Sequence, residues 1–173
     1  MPTITTRRLL LRPLQATDGA ALQRIIGDPT TMHCWPSPAS PPQLAAWLGA
    51  ECAADRRFAV CLRADGRLIG EAGTSEVVMD GAGSLMLSWI IQAPYWERGF
   101  AVEAAGAVRD DVFTRLGASQ LHACLGVDHG ALRRVAERIG MALLGELDQA
   151  APGLGRSSLY VIDRECAPAG QKG

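Results

Sequence analysis

The 173-residue sequence has no long apolar segment. A membrane-spanning helix needs roughly 18 consecutive apolar residues, and no stretch of the chain approaches that length. The first ten residues, MPTITTRRLL, contain two arginines followed by only a short apolar run, unlike a secretory leader. We therefore expect a cytoplasmic protein with no membrane partner.

Cysteine is scarce and irregularly spaced. The five cysteines are odd in number and form no CxxC pair, so the sequence indicates neither a disulfide framework nor a zinc site, and we expect no metal. A nucleophilic cysteine is also disfavoured, because none has a His or Asn neighbour in the sequence that suggests activation. The cysteines are Cys34, Cys52, Cys61, Cys124 and Cys166.

An excess of positive charge is also missing. The formal net charge is −1 and no long basic run occurs, whereas nucleic-acid binding through counterion release requires a basic surface. We expect no nucleic-acid partner. Apolar residues make up 48% of the chain and charged residues 20%, which suits a globular fold with a substantial core. We predict a single domain over residues 1–165 and a disordered tail over residues 166–173.

Hydrophobic periodicity predicts an α/β fold of four helices and seven strands. The helices end at stop signals such as Gly117 and Gly140, and an Asp65-Gly66 turn joins the second and third strands as an antiparallel hairpin. The predicted helices cover residues 16–26, 43–54, 99–116 and 130–139. The predicted strands cover residues 4–14, 58–63, 67–77, 84–92, 121–125, 141–147 and 157–163.

A Pro- and Ser-rich loop, DPTTMHCWPSPASPP, separates the first two predicted helices. It is roughly fifteen residues long, and connections of that length more often line a site than merely join elements. The loop is therefore a candidate substrate gate. His33 and Trp35 within it are candidates for contact with a substrate, although a Trp beside prolines could equally anchor the loop on the core.

The segment YWERGFAVEA, which begins at Tyr95, is a candidate anion site. The first N–H groups of a helix lack intrahelical partners, and the helix dipole places partial positive charge there. Gly99 lets a ligand approach the backbone, Arg98 adds charge, and the small Ala101 keeps the first turn accessible. Together they suit a diphosphate. The alternative is that Gly99 only shapes a strand-to-helix turn.

Five segments, in order, resemble the GNAT superfamily of acyl-CoA N-acyltransferases, in particular the branch that acetylates the N-termini of ribosomal proteins. They are TTRRLLLRPLQATD, DPTTMHCWPSPASPPQLAAWL, GRLIGEAG, YWERGFAVEA and HGALRRVAERIGM, and the resemblance covers nearly the whole chain. It implies the GNAT fold: a mixed, mostly antiparallel sheet of about seven strands with about four helices, in which strands four and five splay apart. It also implies acetyl-CoA as cosubstrate.

The resemblance assigns roles to residues around the splayed strands. The backbone N–H of Ile91 would polarise the thioester carbonyl, a donor aimed at an oxygen that gains negative charge during attack. The YWERGFA loop would hold the pyrophosphate, and the late helix would contact the rest of the cosubstrate. The implied binding residues are Ile91, Trp96, Glu97, Arg98, Gly99, Phe100, Ala101, His129 and Leu132.

Three positions depart from the pattern of that branch. Met86 stands where an acidic residue is common, and His129 and Leu132 stand where Asn and Ser are usual. A thioether cannot accept a proton, so Glu71 on the third strand becomes the candidate base or substrate contact. His129 becomes the candidate proton donor, although a His at a helix start is often a cap or a surface residue.

The sequence therefore predicts an acetyl-CoA-dependent N-acetyltransferase that works by direct attack of a primary amine within a ternary complex. The acceptor would be a small molecule or a peptide N-terminus, with an amine of lowered pKa preferred because acid and base groups are few. Two alternatives stay open: an acyl-CoA-binding sensor or partner subunit with weak or no activity, and a scaffold without a nucleotide site. The resemblance implies a monomer or a homodimer.

Overall fold

A computed structural model of the protein describes residues 1–33, 40–79, 81–148 and 155–167. Eight strands in these residues form one sheet in the order β1-β2-β3-β4-β5-β6-β8-β7, antiparallel throughout except for the parallel pair of β5 and β6. The strands are β1 (Ile4–Thr5), β2 (Leu9–Pro13), β3 (Arg57–Leu62), β4 (Leu68–Met79), β5 (Ala82–Ile91), β6 (Gln120–Gly126), β7 (Ala142–Leu147) and β8 (Ser157–Asp163).

Four α-helices accompany the sheet in the described residues: α1 (Gly19–Ile26), α2 (Pro41–Ala54), α3 (Phe100–Asp111) and α4 (Gly130–Arg138). The predicted helix over residues 99–116 ends differently from expectation, because a π-helical turn over Val112–Leu116 continues α3 as far as Gly117. Helix α2 begins two residues earlier than predicted, since Pro41 fits the first helical position and Ser40 pairs with Gln43 in a capping box.

The predicted fold is confirmed, with one more strand than expected. Residues 4–14 are not one strand but a tight pair, because the Thr6 N–H donates to the Leu9 carbonyl oxygen at 2.9 Å and reverses the chain. Ile4 then lies opposite Leu11. The predicted fourth and fifth strands are therefore β5 and β6 of the structure.

β5 and β6 separate as predicted. Among the described residues their parallel register rests on the single pair Met86 and His122, and beyond it β5 continues to Ile91 without pairing to β6. An opening in a sheet exposes backbone N–H and C=O groups that a ligand can pair with. The separation therefore creates a position for an extended ligand beside the end of β5.

The helices cover both faces of the sheet and produce two apolar clusters. On one face, α3 and α4 pack against a cluster that includes Leu87, Trp89 and Ile91 of β5. On the other face, α1 and α2 pack against a smaller cluster that Ile90 of β5 joins. Successive residues of β5 thus serve opposite faces, as strand geometry requires. Each fully buried side chain contributes about 1.5–3 kcal/mol to stability.

The C-terminal segment is partly described. Residues Arg164–Cys166 form a 3-10 helix, and Ala167 packs against the larger apolar cluster. Residues 168–173 of the predicted disordered tail lie outside the described residues, as does Trp35 in the loop between α1 and α2. No helix in the described part of the chain is both long and apolar enough to cross a bilayer.

Candidate active site

The end of β5 turns a backbone N–H toward the opening, where the described residues of β6 do not pair with it. The Gln92 N–H donates to the Ile69 carbonyl oxygen at 2.8 Å, and Gly70 lies opposite Ile91. In antiparallel geometry this pattern makes Gly70 and Ile91 a non-hydrogen-bonded pair. The N–H and C=O of Ile91 therefore point away from β4, toward the side where β6 has separated. The Ile91 side chain is buried in the core, which leaves the backbone as its functional part.

Two hydrogen bonds fix the chain immediately after β5. The Trp96 indole N–H donates to the Ile91 carbonyl oxygen at 2.6 Å, so Trp96 closes the short turn that follows the strand. The Ala93 N–H donates to Thr31 Oγ1 at 3.1 Å, and the buried Thr31 hydroxyl donates in turn to Asp28 at 2.6 Å. The end of α1 and the end of β5 are thereby tied together. Nothing in the sequence pattern indicated Thr31.

The segment from Glu97 to Gly99 has an unusual backbone. Glu97 and Gly99 have φ of 59° and 78°, in the left-handed region, which Gly adopts freely and Glu only with strain. The first intrahelical bond of α3 runs from the Glu103 N–H to the Gly99 carbonyl oxygen at 3.1 Å. The N–H groups of residues 100, 101 and 102 therefore lack intrahelical acceptors. They form the N-terminal end of α3, where the helix dipole places partial positive charge.

Arg8 and Glu103 brace this segment from the protein side. Glu103 accepts hydrogen bonds from Thr6 Oγ1 at 2.6 Å, from the Arg8 N–H at 2.7 Å and from Arg8 Nε at 2.7 Å. Arg8 Nη1 also donates to the Arg98 carbonyl oxygen at 2.8 Å, and its guanidinium lies 4.4 Å from the Phe100 ring centre. Burial raises the pKa of Glu103, but these hydrogen bonds outweigh it and hold the pKa below its ordinary value.

The start of α4 brings a histidine into the same region. His129 is the N-cap residue of α4, but its side chain makes no capping hydrogen bond. Its ring centre lies 5.7 Å from that of His33 in an edge-on arrangement, and the His33 ring lies 5.4 Å from the Trp96 ring. Three predicted site residues from three distant segments of the sequence therefore form one aromatic cluster.

A cavity of about 450 Å³ unites these parts. Among the predicted site residues, those that line it are His33, Ile91, Trp96, Glu97, Gly99, Ala101, His129 and Leu132. Lining residues that sequence reasoning missed include Thr31, Trp89, Asp128, Arg134 and Arg138. Asp128 and Arg134 flank the predicted His129 and Leu132, so only their nearness to the start of α4 could have indicated them.

Arg98 and Phe100 are placed differently from the other loop residues. The exposed Arg98 side chain lies over the Tyr95 ring at 5.9 Å and is not among the residues that line the cavity. The Phe100 side chain is 9% exposed and packs edge-on against Tyr95 in the core. Any contact between Phe100 and a ligand at the cavity must therefore come from its backbone N–H.

Glu71 does not line the cavity. Its side chain is 3% exposed, and its Oε2 accepts a hydrogen bond at 2.8 Å from Arg57, which also donates to Ser88 Oγ at 2.9 Å. Arg57 Nε lies 3.0 Å from Glu51 Oε2, an ion-pair contact without hydrogen-bond geometry. Burial raises the pKa of Glu71, and the attraction of Arg57 opposes that shift only in part. The contacts of Glu71 are thus those of a structural ion pair.

Met86, where an acidic residue was expected, lies at the single pairing between β5 and β6. The acidic side chains that line the cavity are instead Glu97 and Asp128, on the loop and before α4. Leu132 is half-buried and packs against the larger apolar cluster, so it contributes apolar surface rather than a polar donor. In the described part of the chain, no group of three His, Cys, Asp or Glu side chains is arranged to hold a metal ion.

The site fits a nucleotide thioester such as acetyl-CoA. The N–H groups at the start of α3 lack intrahelical acceptors and are suited to donate to phosphate oxygens, and Gly99, with its left-handed backbone, lines the cavity beside them. The outward-facing Ile91 N–H is a donor for a carbonyl oxygen. The gap between β5 and β6 has room for an extended arm between these two points, and Leu132 gives it an apolar wall.

A sheet opened beside the start of a helix, with a cavity at the opening, is the arrangement expected of acyl-CoA-dependent acyltransferases. Comparison with protein families agrees: the family described as the acetyltransferase (GNAT) domain matches residues 8–142. The chain belongs to the GNAT acetyltransferase family.

Solved structures share the fold at low sequence identity. A GNAT-family acetyltransferase from Bacillus anthracis superposes with a TM-score of 0.83 at 21% identity, over 95% of this chain and 99% of the other. Ribosomal-protein-S5-alanine acetyltransferase from Vibrio fischeri gives 0.78 at 13% identity, over 97% and 100%. Mycobacterium smegmatis RimJ in complex with CoA-disulfide gives 0.74 at 20% identity, over 94% and 87%.

Proposed function

We propose that this GNAT acetyltransferase uses acetyl-CoA to acetylate a primary amine by direct attack within a ternary complex. The observation that carries the proposal is the meeting of three features at one cavity: the start of α3, the unpaired end of β5 and the start of α4. The related fold of M. smegmatis RimJ was solved with CoA-disulfide, which supports a ligand of the same class here.

The α3 side of the cavity would hold the diphosphate. The N–H groups of Phe100 and Ala101, with those of the loop from Glu97 to Gly99, would supply donors at a helix end whose dipole favours anions. The exposed Arg98 adds positive charge near the loop. Glu97 adds a negative charge in the same segment, so its backbone rather than its carboxylate is the part suited to phosphate.

The β5 side would hold the reacting group. When bound, acetyl-CoA supplies an acyl group already activated for attack by an amine. The Ile91 N–H would donate to the thioester carbonyl oxygen, where negative charge grows as the amine attacks. Because this donor belongs to a strand held by β4 on its other edge, it needs no reorganisation during the reaction. The half-buried Leu132 side chain would exclude water from the arm that carries the thioester.

His33 and His129 are the proposed side chains for proton transfer and for contact with the acceptor amine. Imidazole titrates near neutral pH and can accept or donate a proton. His129, at the start of α4, is the proposed proton donor to the departing thiolate, and His33, on the loop side, is the proposed contact with the acceptor amine. Their ring centres are 5.7 Å apart, which leaves both within reach of a substrate between α1 and α4. Glu71 has no role in the proposed reaction, because its carboxylate pairs with Arg57 and it does not line the cavity.

The preferred acceptor would be an amine of low pKa. An α-amino group with a pKa of about 8 is partly neutral at pH 7, whereas a lysine side chain near 10.4 is neutral in about one molecule per few thousand. Orientation of two bound reactants can supply roughly 7–11 kcal/mol of the barrier without strong acid or base catalysis. With Met86 in place of an acid, a neutral amine removes the most demanding proton transfer.

Release of free thiol from acetyl-CoA tests the proposal. We expect thiol release with peptides bearing a free N-terminus, and slower release with the same peptides N-terminally blocked but carrying a lysine. Calorimetry with CoA measures binding independently of the acceptor. Faster release with lysine side chains would contradict the acceptor class, and CoA binding without release from a broad amine panel would favour the sensor alternative. No binding of CoA would overturn the proposed function.

A further inference from the structure

The indole N–H of Trp89 is a buried donor without a partner. Trp89 lies on β5, its side chain is 4% exposed, and it lines the cavity. Among the described residues, no acceptor makes a hydrogen bond with its Nε1. A buried N–H that has given up water without gaining an acceptor is costly, so such groups are rare and each one calls for an explanation.

The two other buried side-chain groups without a hydrogen bond in the described residues belong to residues that do not line the cavity. Arg57 Nε, also without a hydrogen bond, has a carboxylate oxygen of Glu51 3.0 Å away, and the Ser158 hydroxyl lies on β8, away from the cavity. Trp96 also lines the cavity, but its indole N–H already donates a hydrogen bond to the Ile91 carbonyl oxygen at 2.6 Å. In the described part of the chain, Trp89 is the residue that both lines the cavity and has a buried side-chain donor without a hydrogen bond.

The position of Trp89 along β5 indicates which part of a bound ligand would lie near its indole N–H. Trp89 and Ile91 are two residues apart and point to the same face of the sheet, so their Cα atoms are separated by roughly 6.8 Å. Trp89 lies on the side of Ile91 nearer the Met86 and His122 pair, where β5 and β6 still meet. An extended arm that enters from the start of α3 and passes Ile91 therefore ends beside Trp89.

We propose that the Trp89 Nε1–H donates a hydrogen bond to a carbonyl oxygen on the acylpantetheine arm of the bound cosubstrate. The inference rests on the proposed use of acetyl-CoA. The carbonyl is one of two kinds: an amide of pantetheine, which CoA and acetyl-CoA share, or the thioester, which only acetyl-CoA has. In either case, Trp89 is a binding residue whose indole supplements the backbone donor of Ile91.

Replacement of Trp89 by Phe removes the donor and keeps an aromatic ring in the core. One net hydrogen bond corresponds to roughly fivefold to tenfold in affinity. We expect Trp89→Phe to weaken binding of acetyl-CoA by that factor in calorimetry, with binding of 3′,5′-ADP, which has no pantetheine arm, unchanged. Weaker CoA binding as well would assign the bond to an amide carbonyl, and unchanged CoA binding would assign it to the thioester.

Trp47→Phe is the matched control, because Trp47 lies on α2, at the opposite face of the sheet. The Arg57 guanidinium there lies 5.5 Å from the Trp47 ring centre. It should leave all three affinities unchanged. Thermal unfolding without ligand checks that both variants remain folded, and the smaller ring of Trp89→Phe should lower the melting temperature because it leaves space in the core. Equal loss of affinity for 3′,5′-ADP would indicate a general disturbance of the site and overturn the proposal.

The indole N–H signals in a nitrogen–proton NMR spectrum give a readout independent of catalysis. The sequence has four tryptophans, and the signal missing from Trp89→Phe identifies Trp89. We expect that signal to move downfield when acetyl-CoA saturates the wild-type protein and to move less with 3′,5′-ADP. A Trp89 signal that does not respond, together with equal acetyl-CoA affinity of the variant, overturns this inference alone. Failure of the wild type to bind acetyl-CoA overturns the proposed function with it.

Discussion

Arg8 Nη1 donates a hydrogen bond of 2.8 Å to the carbonyl oxygen of Arg98, and so joins the turn between β1 and β2 to the loop that precedes α3. The contact spans 90 positions of sequence. Since Arg8 does not line the cavity, it acts on a ligand only through the backbone it holds. The carbonyl of Arg98 is fixed on the protein side, which leaves the following N–H groups free for an anion.

We predict that Arg8→Ala weakens CoA binding by roughly fivefold, because the loop must be ordered at the moment of binding. The variant also leaves Glu103 without the guanidinium that pairs with its carboxylate, so the free energy of unfolding falls by about 1–2 kcal/mol. Calorimetry and urea unfolding measure the two effects. Arg7→Ala removes an exposed neighbour of the same charge and serves as the control. Equal CoA affinity of the two variants would exclude a positioning role for Arg8.

We predict that Gly99→Val weakens CoA binding at least roughly tenfold. A valine at φ of 78° is strained, and its Cβ would lie 3.5 Å from Arg8 Nη2, beside the guanidinium that braces the loop. The strain alone costs about 1–2 kcal/mol of stability.

Gly66→Val separates strain from ligand contact. Gly66 has φ of 72° in an open turn, with no heavy atom within 4 Å of the point that a Cβ would occupy, and it does not line the cavity. Both valine variants should lose similar stability, while only Gly99→Val should lose CoA affinity. Unchanged affinity in a folded Gly99→Val protein would refute the assignment of the diphosphate to this loop.

His129→Gln should lower the turnover number more than it changes the affinity for CoA. The amide keeps a polar side chain at the start of α4 but cannot transfer a proton near neutral pH. General acid–base groups typically contribute about 10²–10⁴-fold to a rate. Steady-state kinetics measure the turnover number, and calorimetry with CoA measures the affinity. A variant with an unchanged turnover number would remove His129 from the mechanism.

Arg57→Ala should destabilise the protein by about 3–5 kcal/mol, because it leaves the buried carboxylate of Glu71 without its partner. Arg56→Ala provides a control one residue away. Arg56 pairs with Glu76 at the surface, where side chains are 31% and 71% exposed, so its loss should cost under about 1 kcal/mol. Chemical unfolding of both variants measures the difference, and equal costs would contradict the structural role of the Arg57 and Glu71 pair.

His122 should make stability sensitive to mild acid. It is 5% exposed, its Nδ1 lies 2.8 Å from Ser84 Oγ, and burial lowers its pKa below the ordinary value of about 6.5. The unfolded chain therefore binds a proton more readily than the folded protein. The contribution is complete above pH of about 6.5 and is lost as the pH falls from there toward the folded-state pKa.

His122→Asn should remove that part of the pH dependence. Urea unfolding at pH 7.5 and 5.5 gives the comparison: the wild type should lose more stability between the two than the variant. An identical loss in His122→Asn and wild type would show that His122 titrates alike in both states.

Local pattern was sufficient to predict most elements of the fold. Helical spacing located all four helices, and the Gly99 segment was found because a glycine at a helix start has a direct physical use. The division of residues 4–14 into β1 and β2 was missed, since the reversal depends on one backbone hydrogen bond between Thr6 and Leu9 rather than on composition.

Side-chain roles that depend on distant partners could not be predicted in this way. Glu71 has the residue type and strand position of a base, but its contact with Arg57 on the neighbouring strand turns it toward the interior. No local pattern predicted a role for Arg8 or Trp89. Their importance arises from the Arg98 carbonyl that Arg8 reaches, and from the acceptor that the Trp89 indole lacks in the described residues.

The sequence by itself determined the order of elements and the donors at the start of α3, because hydrophobic spacing and helix-end chemistry are properties of neighbouring residues. Only the tertiary structure decided which side chains share the cavity. Register across the sheet and the meeting of His33 with His129 depend on contacts between segments far apart in the chain, and those contacts are set by packing of the whole core.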